Sequence, residues 1–316
     1  MRWRSKRGAM KRGAQHRIGA RVSLSPATET PPPQGGGEKG LASATFAANR
    51  AHGRISLGLV ARAGVTHRAT NREDGSLRVR FPGACLGAPE AVLVNTAGGI
   101  AGGDRFAVDL SLGTDARLVV TTAAAEKVYR SLGPDACVDV SANLADGAEL
   151  IWLPQETILF DRARLARTVD IALAPTATLL FAEAIVFGRA AMGEIVHEGH
   201  FTDRWRVRRG GRLIFAENFC LDGPIAGHLA EAAIVGGRAA IGTVLMAPGD
   251  DAAVAAVRDA AAQFRGEVGI STWNVSSCSA IALARLAARD GAALRHDLVV
   301  LLSALGRPAQ RRIWLN

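Results

Sequence analysis

The pattern Leu-x-x-x-Ala-x-Leu occurs three times in the middle of the chain, at Leu112/Ala116/Leu118, Leu144/Ala148/Leu150 and Leu173/Ala177/Leu179. Each copy follows a β-like segment: Val108-Asp-Leu-Ser-Leu112, Val138-Asp-Val140 and Val169-Asp-Ile-Ala-Leu173. Between the two halves of each copy stand Gly-Thr-Asp, Ala-Asp-Gly and Ala-Pro-Thr, which are turn formers. The flanks alternate apolar and polar residues with the period of two expected of half-buried strands. A repeat of about 30 residues belongs to architectures in which each supersecondary unit buries its faces on its neighbours. The expected fold is therefore mainly β, with stacked β-strand repeats forming a large sheet-rich body over at least residues 52–220. Strand ends at Thr121-Thr122, Pro154-Gln155-Glu156 and Glu183 are expected to gather on one side.

The last third of the chain reads differently. Residues 240–246 form a strand pattern, and Pro248-Gly-Asp-Asp251 opens a helix with Val254, Val257, Ala261 and Phe264 on one face. Residues 268–273 read as a strand, residues 280–287 fit helix or strand, and a second helix covers residues 292–305. A small α+β C-terminal part, residues 239–316, is thus expected on a body spanning 48–238.

Residues 1–47 do not fit a packed element. Arg2, Arg4, Lys6, Arg7, Lys11, Arg12, Arg17 and Arg21 carry eight of the nine excess positive charges, leaving 30 basic against 29 acidic residues elsewhere. A Pro/Gly linker follows in residues 26–40. Such an arm reads as a disordered basic extension, and touching nucleic acid is its less expected role. It lacks the apolar core of a secretory signal, and no uninterrupted apolar run of about 18 residues follows, so a cytoplasmic, non-membrane protein is expected. Cys85, Cys137, Cys220 and Cys278 have no Cys-x-x-Cys spacing and are expected to be reduced, mostly buried thiols.

Glycines and acids carry the remaining signals. Asn95-Thr-Ala-Gly98-Gly99-Ile-Ala-Gly102-Gly103-Asp104 is a turn that needs backbone freedom, and its spacing excludes a dinucleotide fingerprint. His197-Glu-Gly-His200 lacks the H-E-x-x-H spacing of a zinc protease, and in a strand its two rings face opposite ways. Lys127 is the sole lysine after residue 39 and Tyr129 the sole tyrosine; on a strand they share a face, with Glu126, Val128 and Arg130 on the other. Asp104, Glu156, Glu183, Glu194 and Glu217 stand in or beside apolar strands, where a carboxylate meets an arginine, lines water or holds a cation.

Five motifs then occur in order: the glycine stretch ending at Asp104, Lys127-Val-Tyr129-Arg130, Trp152-Leu-Pro-Gln155-Glu156, Gly188-Arg189-Ala-Ala-Met-Gly193-Glu194 and Arg312-Ile-Trp-Leu315. Together they resemble the urease accessory protein family UreD, over residues 52–316. The resemblance implies a non-enzymatic β-rich scaffold that binds apo-urease and UreF, with the GTPase UreG joining through UreF. It implies no tightly bound cofactor and no catalytic residue, but transient Ni²⁺ in an internal water-filled passage. Asp104, Glu183 and Glu217 match the acidic places of that passage by position, and the resemblance assigns no such role to Glu126. Two rivals remain: a carboxylate-pair hydrolase using Asp104 with Glu183, and nucleic-acid binding through the basic arm.

Overall fold

The repeated leucines become rungs of a ladder. In the computed structural model, which describes residues 49–306 except 86, 277 and 278, Leu112, Leu144 and Leu173 lie side by side in parallel register, as do Leu118, Leu150 and Leu179. The basic arm and linker, Cys278 and the Arg312–Leu315 motif lie outside the described residues. The described residues fall within one compact unit, Ala44–Asn316.

The chain begins with β1 (His52–Arg62) and β2 (Val65–Gly75), which pair antiparallel, then β3 (Leu77–Arg80), β4 (Ala84–Cys85) and β5 (Ala88–Asn95). The first coil is β6 (Arg105–Leu112), β7 (Arg117–Thr122) and β8 (Glu126–Val128). The second is β9 (Ala136–Leu144), β10 (Glu149–Trp152) and β11 (Thr157–Leu159). In the third, β12 (Arg164–Leu173) leads to one long strand, β13 (Thr178–Phe187), which pairs with both β10 and β11. An antiparallel pair follows, β14 (Gly199–Arg209) with β15 (Arg212–Gly223), and then a short helix α1 (Ile225–Ala230) that the sequence pattern did not announce. The chain continues with β16 (Ala240–Ala247), α2 (Asp251–Ala260), β17 (Glu267–Ser276), β18 (Ser279–Ala288) and α3 (Gly291–Ala304).

Two sheets result. One has the order β15-β14-β12-β9-β6-β1-β2, and the other β17-β18-β16-β13-β10-β7-β5-β3. The parallel stacking of β6, β9 and β12, and of β7, β10 and β13, makes the body a β-solenoid of the kind the repeat predicts. Turns stack with the strands: the Ala145 and Ala174 amides donate to the Leu112 and Leu144 carbonyls, both at 2.8–2.9 Å, and Thr176 donates to Asp146 at 2.8 Å. Val138-Asp139 sits two residues out of phase with the other copies, since Val140 is the residue level with Val108 and Val169.

The C-terminal part joins edge-on. β16 pairs antiparallel with β13, and β18 and β17 extend the same sheet. Residues 280–287 are thus strand, and α2 and α3 cover that sheet's outer face through Val254, Val257, Leu294, Leu298, Leu301 and Leu302. The inner face packs against the other sheet. Burial on both faces is why Leu179–Phe187 is a continuous buried run rather than an alternating one. Both helices begin where the sequence places them, with Asp250 and Asp290 accepting the Ala253 and Ala293 amides at 2.8 Å.

The cysteines depart from expectation: Cys85 and Cys137 are half-buried and Cys220 is exposed, all three as free thiols. Cys220 alternates with buried Leu221 on β15, so the strand period turns its side chain outward.

Candidate functional site

The space between the two sheets contains charge as well as apolar side chains. Alternation on β12 points Leu165, Arg167, Val169 and Ile171 inward, and on β14 it points Phe201, Asp203, Trp205 and Val207 inward. Arg167 and Asp203 are register partners, so a cation and an anion face each other inside the sandwich. From the opposite sheet, β13 contributes Glu183. The Arg167 guanidinium donates from Nε to Asp203 Oδ1 at 3.0 Å, from Nη2 to Asp203 Oδ2 at 2.5 Å and from Nη1 to Glu183 Oε2 at 2.5 Å. Trp152 Nε1 donates to the other Glu183 oxygen at 2.9 Å. Arg167 and Glu183 are each only 5% exposed. Burial pushes the Glu183 carboxyl above the usual carboxylate range, against the pull of Arg167.

Two cavities meet at this cluster. An inner one of about 650 Å³ is lined by Asp203, Trp205, Glu217, Thr243, Glu267 and Arg285, and a middle one of about 100 Å³ by Asn95, Thr122, Glu126, Trp152 and Gln155. Arg167 and Glu183 line both. An outer cavity of about 190 Å³, bordered by Gly98, Gly99 and Lys127, shares Asn95 and Glu126 with the middle one. The inner cavity reaches exposed residues at Ile234 and Glu267.

The three acids of the expected passage have different settings. Glu183 stands in the wall common to two cavities. Glu217 lines the inner cavity and is ion-paired with Arg285, whose Nη1 donates to Thr243 Oγ1 at 2.9 Å. Asp104 lines neither the inner nor the middle cavity. Its two oxygens accept the Ala51 amide at 2.8 Å and the Ala101 amide at 2.7 Å, clasping the start of β1 to the glycine turn. Asp104 and Glu183, the pair a hydrolase would need, therefore share neither of these cavities.

The motif residues mostly build the frame around the cavities. Gly99 has a φ of 140°, and a Cβ there would lie 2.5 Å from the Tyr129 ring. Tyr129 in turn donates to the Gly98 carbonyl at 2.8 Å and meets Phe160 edge-on at 5.3 Å. Gly102 approaches Ser131 and Pro134 too closely for a side chain, and Gly103 has a φ of 88°. The Gln155 backbone amide donates to Thr122 Oγ1 at 2.9 Å, while Glu156 holds Arg295 of α3 by two hydrogen bonds, at 2.7 and 2.5 Å. Gly188, with a φ of 83°, lets the next loop fold back so that Arg189 and Glu194 pair at 2.7 Å; Gly193 closes the intervening turn with a φ of 64°. Lys127 is exposed, and His197 and His200 part company. The His197 amide donates to Asp161 at 2.7 Å, and the His200 ring meets Asp222 at 2.9 Å. Among the described residues, no three His, Cys, Asp or Glu side chains converge to hold a metal ion.

Sequence reasoning passed over Arg167, Asp203 and Arg285, and it named Glu126 without giving it a place among the passage acids. The first two were signalled by a charge on the apolar side of an alternating strand. Glu126 lines the middle and outer cavities, accepts Asn95 Nδ2 at 3.0 Å and is pushed above its usual range by burial, with the Asn95 hydrogen bond opposing. No helix among the described residues is long and apolar enough to cross a membrane.

The comparisons with known proteins agree with one another. The sequence profile described as UreD urease accessory protein matches residues 51–315. A urease accessory protein UreD of Rhodopseudomonas palustris strain BisB18 is 53% identical over 275 residues, 87% of this chain and 98% of the relative. That of Rhodopseudomonas palustris strain BisA53 is 55% identical over 87% of this chain and 94% of its own length, and that of Bradyrhizobium diazoefficiens is 52% identical over 88% and 99%. With profile and relatives spanning the whole β-rich unit, the chain belongs to the UreD family of urease accessory proteins.

Proposed function

We propose that this chain is a urease maturation factor that binds apo-urease and UreF, with UreG joining through UreF, and that Ni²⁺ crosses its interior on the way to urease. The observation that carries the reading is the row of carboxylates Glu126, Glu183, Asp203 and Glu217 along three cavities that share lining residues. Most of these acids already have a partner: Glu183 and Asp203 hold Arg167, and Glu217 holds Arg285. Sites of that kind favour brief, partly hydrated contacts with a divalent ion, because carboxylate and water suit hard and borderline cations while an occupied carboxylate cannot trap one. A route through the interior would also keep nickel away from open sites, at most of which copper outcompetes it. Asp104 serves this function indirectly, by holding the glycine turn that borders the outer cavity. The name shared by the relatives supports the urease connection, and the reading assigns the chain no chemistry of its own.

The experiment compares the nickel content of urease, at equal urease protein, from cells carrying this chain, lacking it, or carrying Glu183→Gln or Glu217→Gln. Nickel should fall about tenfold or more without the chain and severalfold in each variant. Unchanged nickel without the chain overturns the maturation role. Full nickel in both variants, with the wild-type amount of complex, overturns the passage.

A further inference from the structure

The partition between the middle and inner cavities is an ion pair. The guanidinium of Arg167 lies between two carboxylates from opposite sheets, Asp203 on β14 and Glu183 on β13, and all three side chains line the inner cavity. One positive charge stands against two carboxylates, a surplus that a divalent cation in the same place would cancel. On each side the cavity wall carries a buried donor without a partner among the described residues. These are Gln155 Nε2, in a residue that lines the middle cavity and is 4% exposed, and Trp205 Nε1, in a residue that lines the inner cavity and is 2% exposed. The partition therefore divides two cavities whose walls each hold an unsatisfied polar group. The inner cavity, at about 650 Å³, has room for an arginine side chain that leaves its place.

We propose that Arg167 is an exchangeable lock, its guanidinium occupying a divalent-cation site formed by Glu183 and Asp203, so that an ion enters by displacing the side chain into the inner cavity. With the lock closed, a cation arriving from the middle cavity meets a fixed positive charge and passes only by taking over both carboxylates. Trp152, donating to the second Glu183 oxygen, keeps that carboxylate aimed at the site during the exchange. The proposal rests on the passage reading above, but it concerns occupancy of one site and is read without urease.

The test measures thermal unfolding of the full chain with and without Ni²⁺. Arg167→Gln leaves two buried carboxylates unpaired and should melt several degrees below the wild type. Ni²⁺ should then raise its Tm by about 3–8 °C, reversibly with chelator, while leaving the wild type and the triple variant Arg167→Gln/Glu183→Gln/Asp203→Asn nearly unmoved. If Arg167→Gln is insoluble, Ni²⁺ in the refolding buffer should restore soluble protein. No nickel-dependent gain in Tm or soluble yield overturns the lock, as does an equal gain in the wild type or the triple variant. The two readings fail separately: a false lock leaves the nickel deficit of Glu183→Gln cells standing, and a false passage leaves the nickel-dependent stabilisation of Arg167→Gln.

Discussion

A carboxylate inside a β sandwich has to be answered, and the acids of this chain are answered in four ways. Asp104 takes backbone amides, Glu183 and Asp203 share a guanidinium, Glu217 takes a second arginine, and Glu126 has a neutral partner in Asn95. Sequence cannot separate these cases, because each acid stands beside the same apolar neighbours and the partner arrives from another strand. Arg167 and Asp203 were legible in principle, as charges at inward positions of β12 and β14, but a chain rich in arginine hides one buried guanidinium among many exposed ones. Glu126 yields the clearest single-residue prediction. Its folded carboxyl holds a proton more tightly than the unfolded chain's does, so ionisation weakens the fold as pH rises above the unfolded value of about 4.3, and the penalty is absent below it. Glu126→Gln, which keeps an acceptor for Asn95, should therefore raise Tm by about 2–4 °C at neutral pH. The gain should shrink to nothing below pH ~4. A gain that persists in acid would assign the effect to something other than ionisation.

At the scale of elements, the repeat was legible because its period sets the stacking. The Leu112–Leu144–Leu173 rungs visible in the sequence are the observed register, and the turns between strands stack through their own hydrogen bonds. What the pattern could not resolve was residues 280–287, where alternation fails because that sheet is buried on both faces, against the other sheet and against α2 and α3. Helix α1 was missed for a different reason, being six residues long with no side-chain cap. A middle rung touches neighbours on both sides, so truncating it damages two interfaces at once. Leu144→Ala should cost about 3–5 kcal/mol in chemical denaturation. Asp146→Ala, on the exposed turn of the same coil, should cost less than about 1 kcal/mol. Comparable losses would mean that the turn hydrogen bonds, rather than the leucine ladder, hold the coils together.

At the scale of the whole molecule, the carboxylate row depends on both ends of the described fold. β13 comes from the repeats, β15 from the antiparallel pair beyond them, and Arg285, Thr243 and Glu267 from the C-terminal strands that extend β13's sheet. That is why the sequence could suggest a set of acids but not the cavities: these form where segments about 100 residues apart are brought side by side by strand order, which periodicity does not encode. The comparisons with relatives set the basic arm apart from the shared sequence. The family match begins at residue 51, and relatives covered over 94–99% of their own length match only 87–88% of this chain. Deleting residues 1–47 should therefore leave the nickel content and activity of co-expressed urease within about twofold of the full chain's, a ratio worth less than about 0.5 kcal/mol. If activation were lost while the truncated chain still folded and bound urease, the arm would carry a function that the cavities do not. The eight basic residues before Val22 would then direct the search toward an anionic partner such as nucleic acid, and a steep fall of activation with rising salt would mark the contact as electrostatic.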